Sequence, residues 1–171
     1  MCVNSSLDLP SSIALVHEWF TPRSCGGAEN VVEVIDDVLT HIASQPQLFS
    51  LVNKENVLKS SWLFNREVRT SFIQKLPFGI SHVQQYLPLL PFAIEQLDLE
   101  GYPLVISSSH LVAKGVLTSP DQLHISYVHT PVRYAWDQMN IYLRRSFLRK
   151  IGLGLFIRWQ LHTLRQWDQL S

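Results

Sequence analysis

The feature that most constrains this chain is a change of hydrophobic period within its first fifty residues. Ile13-Ala-Leu-Val16 is a short unbroken apolar run, the pattern of a strand buried on both faces. Thr21-Pro-Arg-Ser-Cys-Gly-Gly27 follows as a loop. From Ala28 onward, apolar residues recur at spacings of three and four: Val31, Val32, Ile35, Val38, Leu39 and Ile42. Glu29 and Glu33 fall in the first two turns, where the helix dipole favours acid, and the helix ends before Gln45-Pro46. Leu48-Phe-Ser-Leu-Val52 returns to the strand pattern. A strand, a helix and a second strand in this order lead toward a parallel sheet, because parallel neighbours need a crossover connection.

The remaining segments continue the alternation. Val68-Arg-Thr-Ser-Phe-Ile73 reads as a third, more polar strand. Residues 77–99 read as two helices broken around Pro88 and Pro91, since proline fits a first turn but not a helix interior. Leu104-Val-Ile-Ser107 and Leu123-His-Ile-Ser-Tyr-Val128 read as two more strands. Residues 137–168 read as a long, mostly helical tail, with a break at Gly152 and Gly154. The expected fold class is α/β, a Rossmann-like, mainly parallel sheet with flanking helices. The 171 residues suffice for one core. A composition of 46% hydrophobic and 16% charged residues excludes disorder over most of the length. No apolar run approaches the roughly 18 residues of a spanning helix. Residues 1–12 are polar, lack the apolar core of a signal peptide, and read as a disordered leader.

Charge and cysteine content narrow the partners. The net charge is zero. Residues 1–137 carry eight basic against thirteen acidic side chains, however, and residues 138–171 carry six basic against Asp168 alone. A strongly basic nucleic-acid binder is therefore not expected. The stretch 142–159 mixes Arg and Lys with Phe, Leu, Ile and Trp. That pattern suits either an interfacial segment drawn to anionic lipid or a surface helix packing its apolar side on the domain. Cys2 and Cys25 have no partners at metal-ligand spacing, which fits a reducing compartment. The seven histidines form no HExxH or comparable pattern, so no metal is expected.

In parallel sheets ligands bind beyond the carboxyl ends of the strands. Three segments occupy such positions: His17-Glu18 with Gly26-Gly27, Ser107-Ser-Ser-His110, and His129-Thr-Pro-Val-Arg133. Gly26 and Gly27 precede a helix and suit close approach to an anion, or equally an ordinary strand-to-helix turn. Ser109 and Lys114 suit a polar or anionic ligand, or a serine-rich turn and cap. His129 stands one residue past an apolar strand, with Arg133 offering a fork for phosphate and Tyr134 and Trp136 offering stacking faces. A core histidine with core aromatics would give the same pattern. No GxGxxG, Walker loop or GxSxG elbow is present.

Taken in order, these pieces resemble a known family. Ala14-Leu-Val-His-Glu-Trp19 with Gly26-Gly-Ala-Glu29, Val68–Pro77, Tyr86-Leu-Pro-Leu-Leu-Pro91, Gly101–His110, Ala113-Lys-Gly-Val116 and Tyr127-Val-His-Thr-Pro-Val-Arg-Tyr-Ala-Trp-Asp137 are similar to the N-terminal domain of retaining GT-B glycosyltransferases of the GT4 group. The resemblance is to the bacterial polysaccharide-building branch that includes mannosyltransferases. It implies that 13–137 is the acceptor-side, Rossmann-like half of a GT-B fold, and that 138–171 leads toward a C-terminal domain not contained in this sequence. It implies a nucleotide-sugar donor as substrate, a glycan or lipid-linked acceptor, and no separate cofactor. Gly26 and Gly27 would approach the donor diphosphate and His129 would sit at the reacting sugar. Arg133, Lys114, Ser109 and Trp136 would contact acceptor or phosphate. The expected location is cytoplasmic, with peripheral contact at the inner face of a membrane in the case that 142–159 is the interfacial segment rather than a surface helix packed on the domain. The family's Arg, Lys and acidic motif that hold the leaving diphosphate belong to the C-terminal domain. The chain alone is therefore expected to lack transferase activity. Cys25 stands where relatives carry small or polar loop residues.

Overall fold

The structure is a computed structural model, and it describes residues 9–20, 26–54, 61–130, 136 and 154–171. Five strands form one sheet: β1 (Ile13–Phe20), β2 (Gln47–Asn53), β3 (Val68–Thr70), β4 (Leu104–Ser109) and β5 (Leu123–Val128). Their spatial order is β3-β2-β1-β4-β5, and every pairing is parallel. The helices are α1 (Gly27–Ile42), the short α2 (Leu90–Glu95) and α3 (Gly154–Leu170). This is a Rossmann-like α/β fold.

The first strand runs four residues beyond the apolar stretch that predicts it. All eight residues of β1 are buried, His17 and Glu18 included. Two polar side chains continue a buried strand because β4, its parallel neighbour, ends in Ser107, Ser108 and Ser109 and supplies them with partners. The polar third strand is instead shorter than its pattern. It stops at Thr70, where Ser71 caps a 3-10 turn over Phe72–Lys75 by accepting a hydrogen bond from the Ile73 N–H. The break expected near the prolines lies where a 3-10 stretch, Val83–Leu89, meets α2. Pro88 lies inside that stretch, and Pro91 occupies the first turn of α2.

Alternate strand residues feed two layers. Leu15, Phe20, Val32, Leu48 and Leu63 close the face covered by α1. On the other face Val16, Phe49, Leu51, Leu90, Ile94, Leu161 and Leu164 join the sheet to α2 and α3. Only part of the predicted apolar stripe of α1 is buried. Val32 and Leu39 lie inside, whereas Val38 and Ile42 face solvent. Asp36 shares the buried side, because Arg66 clamps its carboxylate with two bonds of 2.7 and 2.9 Å and also donates to the Pro46 carbonyl at 3.0 Å.

The expected tail helix over 137–168 is described from Gly154 onward, and residues 137–153 lie outside the described residues. The carboxyl half of α3 docks firmly. Leu161 and Leu164 are buried, Trp167 Nε1 donates to Glu95 at 2.6 Å, and Lys114 pairs with Asp168 at 3.1 Å. Gly115 lies directly under the Trp167 ring, where a Cβ would come within 2.2 Å of it. The amino half differs: Leu155, Phe156 and Trp159 are all exposed.

Candidate functional site at the switch point

In this sheet the chain turns in opposite directions on either side of the β1–β4 pair. The carboxyl ends of those two strands therefore flank the crevice where such folds bind ligands. A connected set of polar side chains lies there, drawn from β1, β4 and the residue after β5.

At its centre is Glu18, fully buried. One carboxylate oxygen, Oε1, accepts five hydrogen bonds. Ser109 Oγ donates at 2.9 Å, and the backbone N–H groups of His110, Leu111, Val112 and Ala113 donate at 2.8–3.0 Å. The chain leaving β4 thus wraps its amides around a single negative charge. The other oxygen, Oε2, faces two imidazoles, with His110 Nδ1 at 3.0 Å and His17 Nδ1 at 3.6 Å. Burial by itself would raise the Glu18 carboxyl. The hydrogen bond and charge of His110, with the Ala113 N–H, outweigh it and hold the group well below the usual carboxylate range. Burial likewise opposes charge on His110, but the Glu18 carboxylate wins and raises it. For His17 burial dominates and lowers it, so that the ring is held neutral. Its Nδ1–H donates to the Ser108 carbonyl at 2.9 Å, which leaves Nε2 as a bare acceptor.

His129 joins the set from the end of β5. Its Nε2 lies 2.8 Å from Ser108 Oγ, and its backbone N–H donates to the Ser109 carbonyl at 2.8 Å. The Tyr127 ring stands 4.8 Å from its own, edge to face. Burial first, and then the nearby His110, lower its affinity for a proton. His129 is therefore a neutral imidazole poised on a serine hydroxyl at the rim of the crevice, able to accept a hydrogen bond or a proton from a bound hydroxyl group.

The other residues singled out from sequence divide into separate places. Ser109 is part of the Glu18 network. Lys114 and Trp136 meet over Asp168: Lys114 pairs with the carboxylate and also donates to the Asp168 carbonyl, and Trp136 Nε1 donates to Oδ2 at 2.8 Å. These two side chains tie α3 to the β4 end, and their polar atoms are already partnered. Gly26 and Gly27 open α1 at the same carboxyl edge of the sheet. There Gly26 N–H donates to Glu29 Oε2 at 3.0 Å, and a Cβ on Gly27 would meet nothing within 4 Å. Arg133 and Cys25 lie outside the described residues. The strand-end rule selected the segments that hold Glu18 and His110 but assigned neither residue a role. The available signal was an ionisable pair interrupting an otherwise buried strand, which requires partners from elsewhere in the chain.

Fold and site together define a Rossmann-like α/β domain with a histidine-rich polar cluster at its topological switch point. The sequence matches no protein-family model, no curated protein and no solved structure.

Proposed function

We propose that this chain is the acceptor-side domain of a GT4-type glycosyltransferase, which moves a sugar such as mannose from a nucleotide-sugar donor to a lipid-linked or polysaccharide acceptor. The observation that carries the reading is the pairing of His129 with Ser108 across β5 and β4 at the switch-point crevice. A neutral histidine on a hydroxyl at that place suits hydrogen bonding to a sugar. Gly26 and Gly27 stand at the same edge, on a helix start suited to a diphosphate. Stabilisation of the departing diphosphate would fall to basic groups of a C-terminal domain, so the chain by itself holds acceptor without turning it over. An NMR titration with a polyprenyl-diphosphate-linked sugar should shift residues 108–110 and 129, and later addition of a nucleotide-sugar donor should produce no transfer. Shifts confined to other regions, or sugar transfer by the chain alone, contradict the reading.

A second reading, a binding module for a membrane surface, is favoured by one observation. Leu155, Phe156 and Trp159 are exposed beside exposed Arg158 on the amino half of α3. This patch suits the interface of an anionic bilayer on the cytoplasmic side. Among the described residues no helix is long and apolar enough to cross a membrane. Co-sedimentation with anionic vesicles that weakens with salt supports this reading, and equal recovery with neutral vesicles argues against it.

A further inference from the structure

The Glu18 network leaves three atoms unanswered. Among the described residues, His17 Nε2, Glu18 Oε2 and His110 Nδ1 are buried polar atoms without a hydrogen bond of proper geometry. Buried polar groups are rarely left this way, and three from one cluster call for a common partner. An ion pair between Glu18 and His110 accounts for two of them and leaves His17 Nε2 bare, deep in the fold.

We propose that His17, Glu18 and His110 hold a divalent transition-metal ion. Among the described residues they are the one group of three metal-ligating side chains whose donor atoms, one from each, lie within 4.8 Å of one another. Ligand atoms that share one ion at about 2.0–2.1 Å stand roughly 3–4 Å apart, so binding needs only a small closure of this set. Two imidazoles and one carboxylate suit zinc, cobalt or iron rather than calcium or magnesium, which prefer oxygen ligands.

The surroundings orient the ligands. His17 donates Nδ1–H to the Ser108 carbonyl, the outer bond that fixes a metal-binding tautomer and leaves the buried Nε2 with its lone pair free. The five donors on Oε1 hold the Glu18 carboxylate rigidly and leave Oε2 for an ion. Charge also fits once His110 gives up the proton it shares with Glu18, since one carboxylate and two imidazoles then supply a single negative charge to a dication. His110, a quarter exposed, opens the group to the crevice, so a fourth position on the ion would face incoming solvent or ligand. The ligands come from residues 17, 18 and 110, which explains why no short spacing announces them. This inference is independent of the glycosyltransferase reading and survives its failure.

The full chain, stripped with chelator, should bind one equivalent of Co²⁺ with visible d–d absorption, and Zn²⁺ should displace it. Zn²⁺ should raise the thermal midpoint. It should also shift the ring nitrogens of both His17 and His110 in long-range ¹H–¹⁵N spectra, a readout that needs no variant. His110→Ala, checked for fold by far-UV circular dichroism, should weaken binding at least about tenfold. His82→Ala, on an exposed turn, should not. Ring-nitrogen shifts absent from His17 and His110, binding only at millimolar metal, or equal loss in the two variants would each overturn the site.

Discussion

Replacing Glu18 with Gln tests whether the buried carboxylate organises the carboxyl edge of the sheet. The side chain keeps its shape and loses its charge. In the native chain five donors share Oε1 and two imidazoles face Oε2. Hydrogen bonds to a charged group contribute about 1.5–3 kcal/mol each and neutral ones about 0.5–1.5 kcal/mol. A Gln carbonyl has two lone pairs for those five donors, and its NH₂ would point at imidazole nitrogens. The expected loss is on the order of 3–5 kcal/mol, the range for breaking a buried ion pair, out of a total near 5–15 kcal/mol. Urea titration followed by far-UV circular dichroism, in chelator-containing buffer, should give a lower midpoint with an unchanged slope. The pH dependence supplies a second, signed readout. Glu18 is held below its ordinary value of 4.5, so its contribution is present above that pH and is lost as pH falls toward its folded value. His110 is raised above 6.5, so its contribution is present below 6.5 and is lost as pH rises through its folded value. His17 is lowered, and in the window below 6.5 it acts against folding as pH falls. Glu18→Gln should remove the acid limb and shrink the alkaline one together. A loss below about 1 kcal/mol with the acid limb intact would show that the amides around residue 110 do not depend on this charge.

Three further outcomes follow from named contacts. Gly115→Ala drives a Cβ into the Trp167 ring and should displace the carboxyl half of α3, costing about 1–3 kcal/mol. A thermal melt should register this as a fall of roughly 2–10 °C, and an unchanged midpoint with unchanged tryptophan fluorescence would contradict the docking of α3. Arg66→Ala leaves the nearly buried Asp36 carboxylate unpaired and should cost about 2–3 kcal/mol by urea titration, with Asp36→Asn restoring part of it in the double variant. Gly27→Ala meets open space and gains helix propensity, so it should raise stability by up to about 1 kcal/mol. In a complete enzyme it should weaken donor affinity if the diphosphate approaches that backbone.

The strands that read as pure apolar runs were legible from period alone, because burial on both faces leaves nothing polar to mislead. The end of β1 was not, since His17 and Glu18 carry the marks of a loop until β4 is placed beside them. Val68–Ile73 shows the reverse. Its pattern continues as a strand while Ser71 turns the backbone by bonding to its own segment and to Leu51. At the site, position relative to strand ends pointed to His17, Ser109, His110 and His129. Their mutual arrangement depends on β4 lying next to β1, a fact of topology that no local spacing encodes. The partnering of Lys114 with Asp168 is of the same kind, joining residues from opposite ends of the domain.

The central place of β1 has a consequence for how this protein is made. Its partner on one side, β2, emerges soon after it, but the partner on the other side pairs Ile13 with Leu104 and leaves the ribosome 91 residues later. At about 5–20 residues per second, an eight-residue strand with one open edge waits roughly 5 to 20 seconds. Through that interval Glu18 has none of the donors of residues 109–113 and must stay in water, which holds back the strand that carries it. Burial of the carboxyl end of β1 is therefore coupled to the arrival of residues 109–113, whose donors are what make a buried carboxylate tolerable there.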